Sequence, residues 1–473
     1  MDNLKQITNP YLPSWEYVPD GEPHVFGDRV YVYGSHDRFN GALYCMKDYV
    51  CWSASVDDLG DWRYEGVIFR KDQDPENGDL QGNLYAPDVT VGPDGRYYLY
   101  YVLSKWGVVS VAVCDEPAGK YEFYGYVHYE DGTLLGQAEG DEPQFDPGVI
   151  TEGDKTYMYT GFCGGGDYSR HGAMATVLGP DMLTVIEAPK FIVPGSCYSE
   201  GTGFEGHAFF EAPSIRKKGD TYFFVYSSQL FHEMAYATSK NPTEGFEYRG
   251  ILVSNGDLNI DSYKPAEKPV CYCANNHGGM VKIKDDWYIF YHRHTNGTNY
   301  SRQGCFEKLI EREDGLFDQV EITSCGGIST PLKGEGEYPG YLACNLFSPD
   351  DITYIPWSGW MSDSYQKITQ DGGDGEKCVG YITNIRPGNV CGFKYFDCKG
   401  VKRIKITTCG YIGGEMEVRT KWDGEPIGSI PVSTSNEWMD HSADIAVPDG
   451  IQALYFTYNG SGYMMMKSFT LEV

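Results

Sequence analysis

Residues 17–37 read YVPDGEPHVFGDRVYVYGSHD. Inside this stretch, GDRVYVYGS (27–35) joins a Gly-Asp turn to an alternating aromatic and β-branched run, the signature of a hairpin. The same form returns as DGRYYLYYV (94–102), GDKTYMYTG (153–161), GDTYFFVYSS (219–228) and DDWYIFYHR (285–293). Successive copies lie about 60 to 70 residues apart, room for the four strands and turns of one propeller blade. Five copies predict a five-bladed β-propeller.

The residues upstream of each hairpin say where chemistry sits. Tyr31, Tyr157, Tyr222 and Tyr288 anchor four of the copies, and eleven residues before them stand Asp20, Asp146, Glu211 and His277. In the second copy the matching position before Tyr98 is Pro87, with Asp88 one step beyond. The innermost strands of a propeller line its central channel, and one end of that channel opens as a cleft. A shared offset therefore gathers three acids and a histidine around one ring. Asp20 is in register; Glu22 is two residues further down the strand. Asp88, one residue out of register, is a pocket-wall or structural residue on this reading. Trp106, with Trp15 and Phe39, is a candidate aromatic wall. The Gly-rich GFCGGGDYS (161–169) lacks the Gly-Lys-Ser/Thr of a phosphate loop and reads as an ordinary loop.

Composition narrows the ligand. The chain has 473 residues, 41% of them hydrophobic and 15% aromatic, with 58 Gly and 39 Tyr, which suits two strand-rich domains. With 38 basic against 67 acidic residues, the formal charge is −29, which argues against nucleic acid and against anionic membranes. A neutral ligand fits better: sugars stack on aromatic rings, and carboxylates accept their hydroxyl hydrogen bonds. The opening MDNLKQITNPYLPSWEY lacks the apolar stretch of a signal peptide, and no apolar run is long enough for a transmembrane helix. The 14 cysteines are scattered, as expected of reduced thiols in a cytoplasmic protein. Converging carboxylates suit glycosidic cleavage: one protonates the leaving oxygen, another activates water or attacks carbon, and a third tunes the acid.

The ordered set VPDGEPHVF, YAPDV, FDPGVI, FEAPSI and NNHGGMV resembles glycoside hydrolase family 43 over roughly residues 8 to 325. The resemblance implies an inverting enzyme with Asp20 as general base, Glu211 as general acid and Asp146 as the acid that orients and tunes it. It implies a substrate-binding arginine at Arg293, with Asp88 near the pocket. It implies a histidine at His277 that in some members helps hold a calcium ion through waters, with no cofactor required for the chemistry. Where the family usually has Pro-Ser after the base, this chain has Gly21-Glu22. The implied activity is exo-acting release of terminal α-L-arabinofuranosyl or β-D-xylosyl units from arabinoxylan-derived oligosaccharides. Other specificities of the family (endo-arabinanase, galactofuranosidase) and a non-catalytic, lectin-like sugar binder are the alternatives.

Composition shifts near Gly326. Residues 1–325 are expected to form the propeller, and GGISTPLKGEGEYPG (326–340) a linker. Residues 341–473, with short alternating strands and frequent turns, are expected to form a jelly-roll-like β-sandwich. ITNIRPGNVCGFKYFDC and GGEMEVRTKWDGEPIGSIPV resemble family 6-type carbohydrate-binding modules. Trp422, Trp438 and Tyr463 are candidate sugar-stacking residues there, and docking against the propeller is the favoured role of the domain.

Overall fold

A computed structural model describes residues 5–348, 355, 358–362 and 364–473. The fold is almost wholly β, a five-bladed propeller followed by a curled β-sheet domain. Four blades are four-stranded antiparallel sheets in sequence order. The first holds β1 (Glu22–Phe26), β2 (Arg29–Tyr33), β3 (Tyr49–Ser55) and β4 (Asp58–Phe69). The second holds β5 (Asp88–Val91), β6 (Tyr97–Val102), β7 (Val109–Cys114) and β8 (Glu122–Tyr126). The third holds β9 (Gly148–Glu152), β10 (Lys155–Thr160), β11 (Gly172–Leu178) and β12 (Val185–Pro194). The fourth holds β13 (Phe209–Lys218), β14 (Thr221–Ser228), β15 (Glu233–Ser239) and β16 (Glu247–Ser254). The fifth has three strands, β17 (Met280–Ile283), β18 (Asp286–His294) and β19 (Arg302–Lys308). A two-residue hairpin follows, β20 (Ile310–Glu311) with β21 (Phe317–Asp318).

The repeated turn explains the repeated strand pair. Gly27 and Gly153 hold φ of +64° and +63° at the inner hairpin turns of blades one and three, where the backbone needs the left-handed region that glycine enters freely. Each inner hairpin then presents one face to the blade before and one to the blade after. Buried apolar clusters accordingly lie between successive blades: Tyr33, Phe69 and Tyr101 join blades one and two, and Tyr159, Phe209 and Phe224 join three and four. The N-terminal segment closes the ring against blade five. Tyr11 N–H donates to Gly304 O (3.3 Å), and the Asn9 side chain donates to Phe306 O (2.9 Å) while accepting from Phe306 N (3.0 Å).

The C-terminal domain is one nine-stranded sheet built around three long strands: β28 (Arg403–Arg419), β29 (Gly428–Ala443) and β30 (Gly450–Glu472). Its shorter strands include β22 (Leu332–Lys333), β23 (Gly336–Pro339), β24 (Asn345–Phe347), β25 (Lys367–Thr369), β26 (Tyr381–Ile385) and β27 (Val390–Cys398). The stretch 326–340, expected as a linker, is therefore partly woven into this sheet: β22 runs parallel to β27, and β23 pairs antiparallel with β30. Tyr338, on β23, explains this. It is buried against Phe396 and Phe469, so the apolar content of the stretch is spent inside the domain.

The two domains share a core. Phe347, Val390 and Tyr455 of the sheet belong to the same buried cluster as Val225, Ile289 and Tyr291 of the propeller. Lys394, on β27, is fully buried there. Its Nζ meets Asp257 Oδ2 (3.3 Å) and Glu321 Oε2 (2.9 Å) and lies 3.5 Å above the Tyr263 ring. Trp422 packs face to face on Phe347 (4.2 Å between ring centres) and edge-on to Tyr263 of the propeller, so it serves the junction. Trp438 lies edge-on to Tyr381 (5.4 Å), while Tyr463 is half exposed.

Candidate active site

Strand geometry brings the ring together. Asp20 and Asp146 each stand two residues before the first strand of their blades, and His277 three before its own. Glu211 lies inside β13, where the pairing with β14 breaks register on either side of it. Asp20 (φ +57°), Asp146 (φ +46°) and Ala212, next to Glu211 (φ +65°), all adopt left-handed backbone. Side chains seldom hold that conformation unless the surroundings enforce it, and such positions cluster where function needs a fixed direction. All four ring residues line one cavity of about 710 Å3.

The cavity is apolar with a few polar groups, the pattern of a small-molecule site. Tyr44, Tyr85, Trp106, Phe145, Phe162 and Phe210 supply aromatic wall. Asn275, Asn299, Gln144 and Arg170 supply hydrogen-bonding groups. Trp106 thus lies where the sequence placed it, edge-on to Tyr126 (4.7 Å). Phe39 instead stacks on Tyr17 outside the cavity, and Trp15 is not among the lining residues. Ile355, from the second domain, reaches the cavity as well.

The acids differ in charge state. Burial works to keep Asp20 protonated, but Arg302 and His292 overcome it and hold the carboxyl well below the usual range. Arg302 Nη1 donates to Asp20 Oδ1 at 2.8 Å, and His292 Nδ1 lies 3.3 Å from the same oxygen. Glu211 goes the other way. Burial, and then the negative charge of Asp20, push it up to about 8 against partial opposition from Arg302. Asp146 is raised by burial, by Glu211 and by Asp20, although the Ala212 N–H bonds its carboxylate. Asp146 and Glu211 therefore repel each other's second charge, and the pair retains a proton at neutral pH. His277 Nδ1 is 3.6 Å from Asp146 Oδ2, and burial lowers it to about 4, so it is neutral.

Two expected residues lie elsewhere. Arg293 does not line the cavity. Its guanidinium donates to Gln303 Oε1 (2.8 and 3.1 Å), to Tyr341 O (2.7 Å) and to Ala343 O (3.1 Å), at the domain junction. The reason is strand alternation: the cavity arginine, Arg302, sits directly across the ladder from His294, and Arg293 is the neighbour pointing to the opposite face. Asp88 is also absent from the lining. It is fully buried on the channel axis, where His24 Nε2 (2.6 Å), the Val149 N–H (2.8 Å) and Arg216 Nη1 (3.9 Å) surround it. Its one-residue offset turns it down the channel. Burial raises it, but His24 and Arg216 leave it ionised below the usual range.

Glu22 belongs to that same axial group. Arg216 Nη2 donates to its Oε2 at 2.7 Å and Ser214 Oγ at 3.0 Å, while burial and Asp88 push it up to about 8. Among the described residues, Glu22, His24 and Asp88 are the one group of three metal-ligating side chains close enough to share an ion, and Arg216 already supplies the cation there. At His277 the neighbouring donor is a single proton-retaining carboxyl, Asp146. Calcium takes six to eight oxygens, so an ion here would be held mainly through waters, as the resemblance implies, with His277 and Asp146 orienting them.

Sequence reasoning missed Arg302, Asp37, Tyr44 and His292. Asp37 is the last residue of the opening stretch. It accepts from Arg302 Nε (2.8 Å), Nη2 (3.0 Å) and backbone N (3.1 Å), and so fixes the guanidinium that grips Asp20. Arg302 lies over the Tyr44 ring at 4.9 Å. The only sequence signal for Arg302 was its place opposite His294 across the fifth hairpin, and the register of that ladder was needed to use it.

The family model described as Glycosyl hydrolases family 43 matches residues 7–317. A protein named xylosidase/arabinosidase from Thermoclostridium stercorarium is 66% identical over 468 residues, covering 99% of each chain. A family 43 arabinoxylan arabinofuranohydrolase from Bacillus subtilis, solved with cellotetraose, superposes over 99% of both chains with a TM-score of 0.53 at 20% identity. A β-xylosidase/α-arabinofuranosidase from a compost metagenome, solved with xylotriose in a calcium-free form, covers 66% of this chain and 97% of its own, with a TM-score of 0.51 at 25% identity.

Proposed function

The chain belongs to glycosyl hydrolases family 43 and is a glycoside hydrolase, and on that premise we propose that it releases terminal α-L-arabinofuranosyl and β-D-xylosyl units from arabinoxylan-derived oligosaccharides, with inversion. One observation carries the assignment of roles. Within a single cavity, Arg302 keeps Asp20 ionised while burial and Asp20 keep Glu211 protonated. Two carboxyls driven in opposite directions are the pattern of a base and an acid.

In the reaction, Glu211 passes its proton to the glycosidic oxygen as the bond from that oxygen to the anomeric carbon breaks. Asp20 takes a proton from a water as the water oxygen bonds that carbon from the opposite face. Turnover leaves Asp20 protonated and Glu211 ionised, and exchange with solvent restores both. The negative charge of Asp20 raises Glu211, Asp146 orients it, and Arg302 is placed to bind sugar hydroxyls beside the acids. No step needs a metal. The aromatic walls suit the apolar faces of a sugar ring. The relatives named above for xylosidase, arabinosidase and arabinofuranohydrolase activity support the substrate class. All 14 cysteines are free, which supports a reducing, cytoplasmic setting.

A lectin-like reading would leave the opposed charge states without a purpose. The deciding experiment is a panel of 4-nitrophenyl glycosides. Nitrophenol release from the α-L-arabinofuranoside and the β-D-xyloside is expected; Glu211→Gln is expected to keep part of that release and to lose sugar release from oligosaccharides, whose leaving groups are poor. Sugar binding with no release from any glycoside would establish the binder instead.

A further inference from the structure

Tyr168, on the Gly-rich loop 161–169, belongs to an ordered group of exposed rings outside the catalytic cavity. Tyr168 is 71% exposed, Phe191 51% and Tyr198 37%. The His171 ring, itself half exposed, stacks on Tyr198 with ring centres 4.6 Å apart and planes 24° apart, and lies 5.0 Å from Phe191. Tyr168 meets Tyr198 edge-on at 6.3 Å. Rings this open to water normally move freely, but these are tied down. Tyr198 Oη donates to Tyr168 O (2.7 Å), and Gly195 N–H, at the head of the turn bearing Tyr198, donates to His171 O (2.7 Å). Glu142 Oε1 sits 2.6 Å from His171 Nδ1 and accepts from His171 N–H at 3.0 Å.

The patch is continuous with the catalytic cavity. Arg170, between Tyr168 and His171 in the chain, lines that cavity, as does Phe162 where the same loop begins. Its Nη1 donates to Pro143 O (3.0 Å), and Pro143, beside Glu142, is another lining residue. A pre-ordered aromatic shelf at the rim of a sugar-cleaving cavity calls for a ligand with flat apolar faces and no net charge. The acidic balance of the chain does not repel such a ligand.

We propose that Tyr168, His171, Tyr198 and Phe191 form a platform for the pyranose chain that carries the scissile unit, that is, for a linear β-linked xylo-oligosaccharide running out of the cavity over Arg170. This rests on the function proposed above and adds where the leaving portion of the substrate lies. The platform touches no reacting atom. Its contribution is to affinity for long substrates and disappears for substrates with a small aryl leaving group.

The test compares wild type with Tyr168→Ala and Tyr198→Ala on xylotetraose and on the 4-nitrophenyl glycosides. Tyr168→Ala removes a ring while leaving the carbonyl that anchors Tyr198, so it decides the matter if Tyr198→Ala lowers the melting temperature. Expected is a loss in kcat/KM on xylotetraose of about 3- to 10-fold per ring, through KM, the size of one aromatic contact. Activity on the aryl glycosides is expected to stay within twofold. Equal losses on both substrates, or no loss on either, would overturn the platform. Calorimetric titration of Glu211→Gln with xylotetraose, with and without Tyr168→Ala, reads the platform without turnover. A wild type inactive on every glycoside, combined with a weaker titration for the Tyr168 variant, would sink the proposed reaction and keep the platform; an unchanged titration would sink the platform alone.

Discussion

Arg302 and Asp20 form a buried ion pair, 2.8 Å from Nη1 to Oδ1, and the other side of the same guanidinium is held by Asp37. The pair joins the first blade to the last, since Asp20 precedes β1 and Arg302 opens β19. Ring closure and the ionisation of the base are thus one interaction.

Arg302→Gln removes the charge that holds Asp20 ionised. The acid limb of the pH dependence of kcat/KM is expected to move to higher pH, with a smaller move in Arg302→Lys, which keeps the charge but cannot grip Asp20 and Asp37 together. Identical acid limbs in all three proteins would show that Asp20 does not set that limb.

Asp20→Ala is expected to lose about 10²- to 10⁴-fold in kcat, the usual span for a missing general base, and azide is expected to restore part of it. Glu22→Gln should keep most of its kcat, because Glu22 sits in the axial group with Arg216 and not in the cavity. The opposite ranking of the two variants in steady-state assays would reverse the assignment.

Glu211 holds its proton in the folded state up to about pH 8, whereas the unfolded chain releases it near the usual 4.5. A raised carboxyl of this kind favours folding at low pH, and that contribution fades as pH climbs from 4.5 to 8. Glu211→Gln cannot ionise. Its melting temperature should therefore exceed that of wild type by a margin that grows from pH 5 to pH 8, while activity on oligosaccharides is lost. A margin that stays flat over this range in calorimetry would mean that Glu211 is ionised throughout.

Lys394 is buried with Asp257 and Glu321 at the domain junction, so Lys394→Ala strands two acids and is expected to cost about 3–5 kcal/mol in urea unfolding. Truncation after Gly326 uncovers the shared cluster around Ile289 and Tyr291 and removes Ile355 from the cavity wall. An insoluble or strongly destabilised propeller is expected. A soluble fragment 1–326 with full activity would show that the domains are independent.

The proposed reaction uses no metal, so chelation is expected to leave turnover unchanged. Loss of activity on EDTA treatment, regained with calcium, would contradict this.

The sequence alone determined the propeller, because a blade must be rebuilt from local turn chemistry each time: GDRVYVYGS and its four relatives each join a turn of Gly or Asp to an alternating strand. It also determined Asp20, Asp146, Glu211 and His277, since a fixed distance from each hairpin becomes a fixed height in the channel. It could not separate Arg293 from Arg302. Both stand on the fifth blade, and only the pairing of His294 with Arg302 decides which guanidinium faces the cavity. It could not place Asp88, whose single-residue offset turns it to the axis, nor foresee that Tyr338 would draw the expected linker into the second sheet. Asp37 was in plain view at the end of the opening stretch, but its role depends on a partner 265 residues away along the chain. Local repeats are written in sequence; the direction of one side chain across a ladder, and the company it keeps from a distant blade, are settled only when the ring closes.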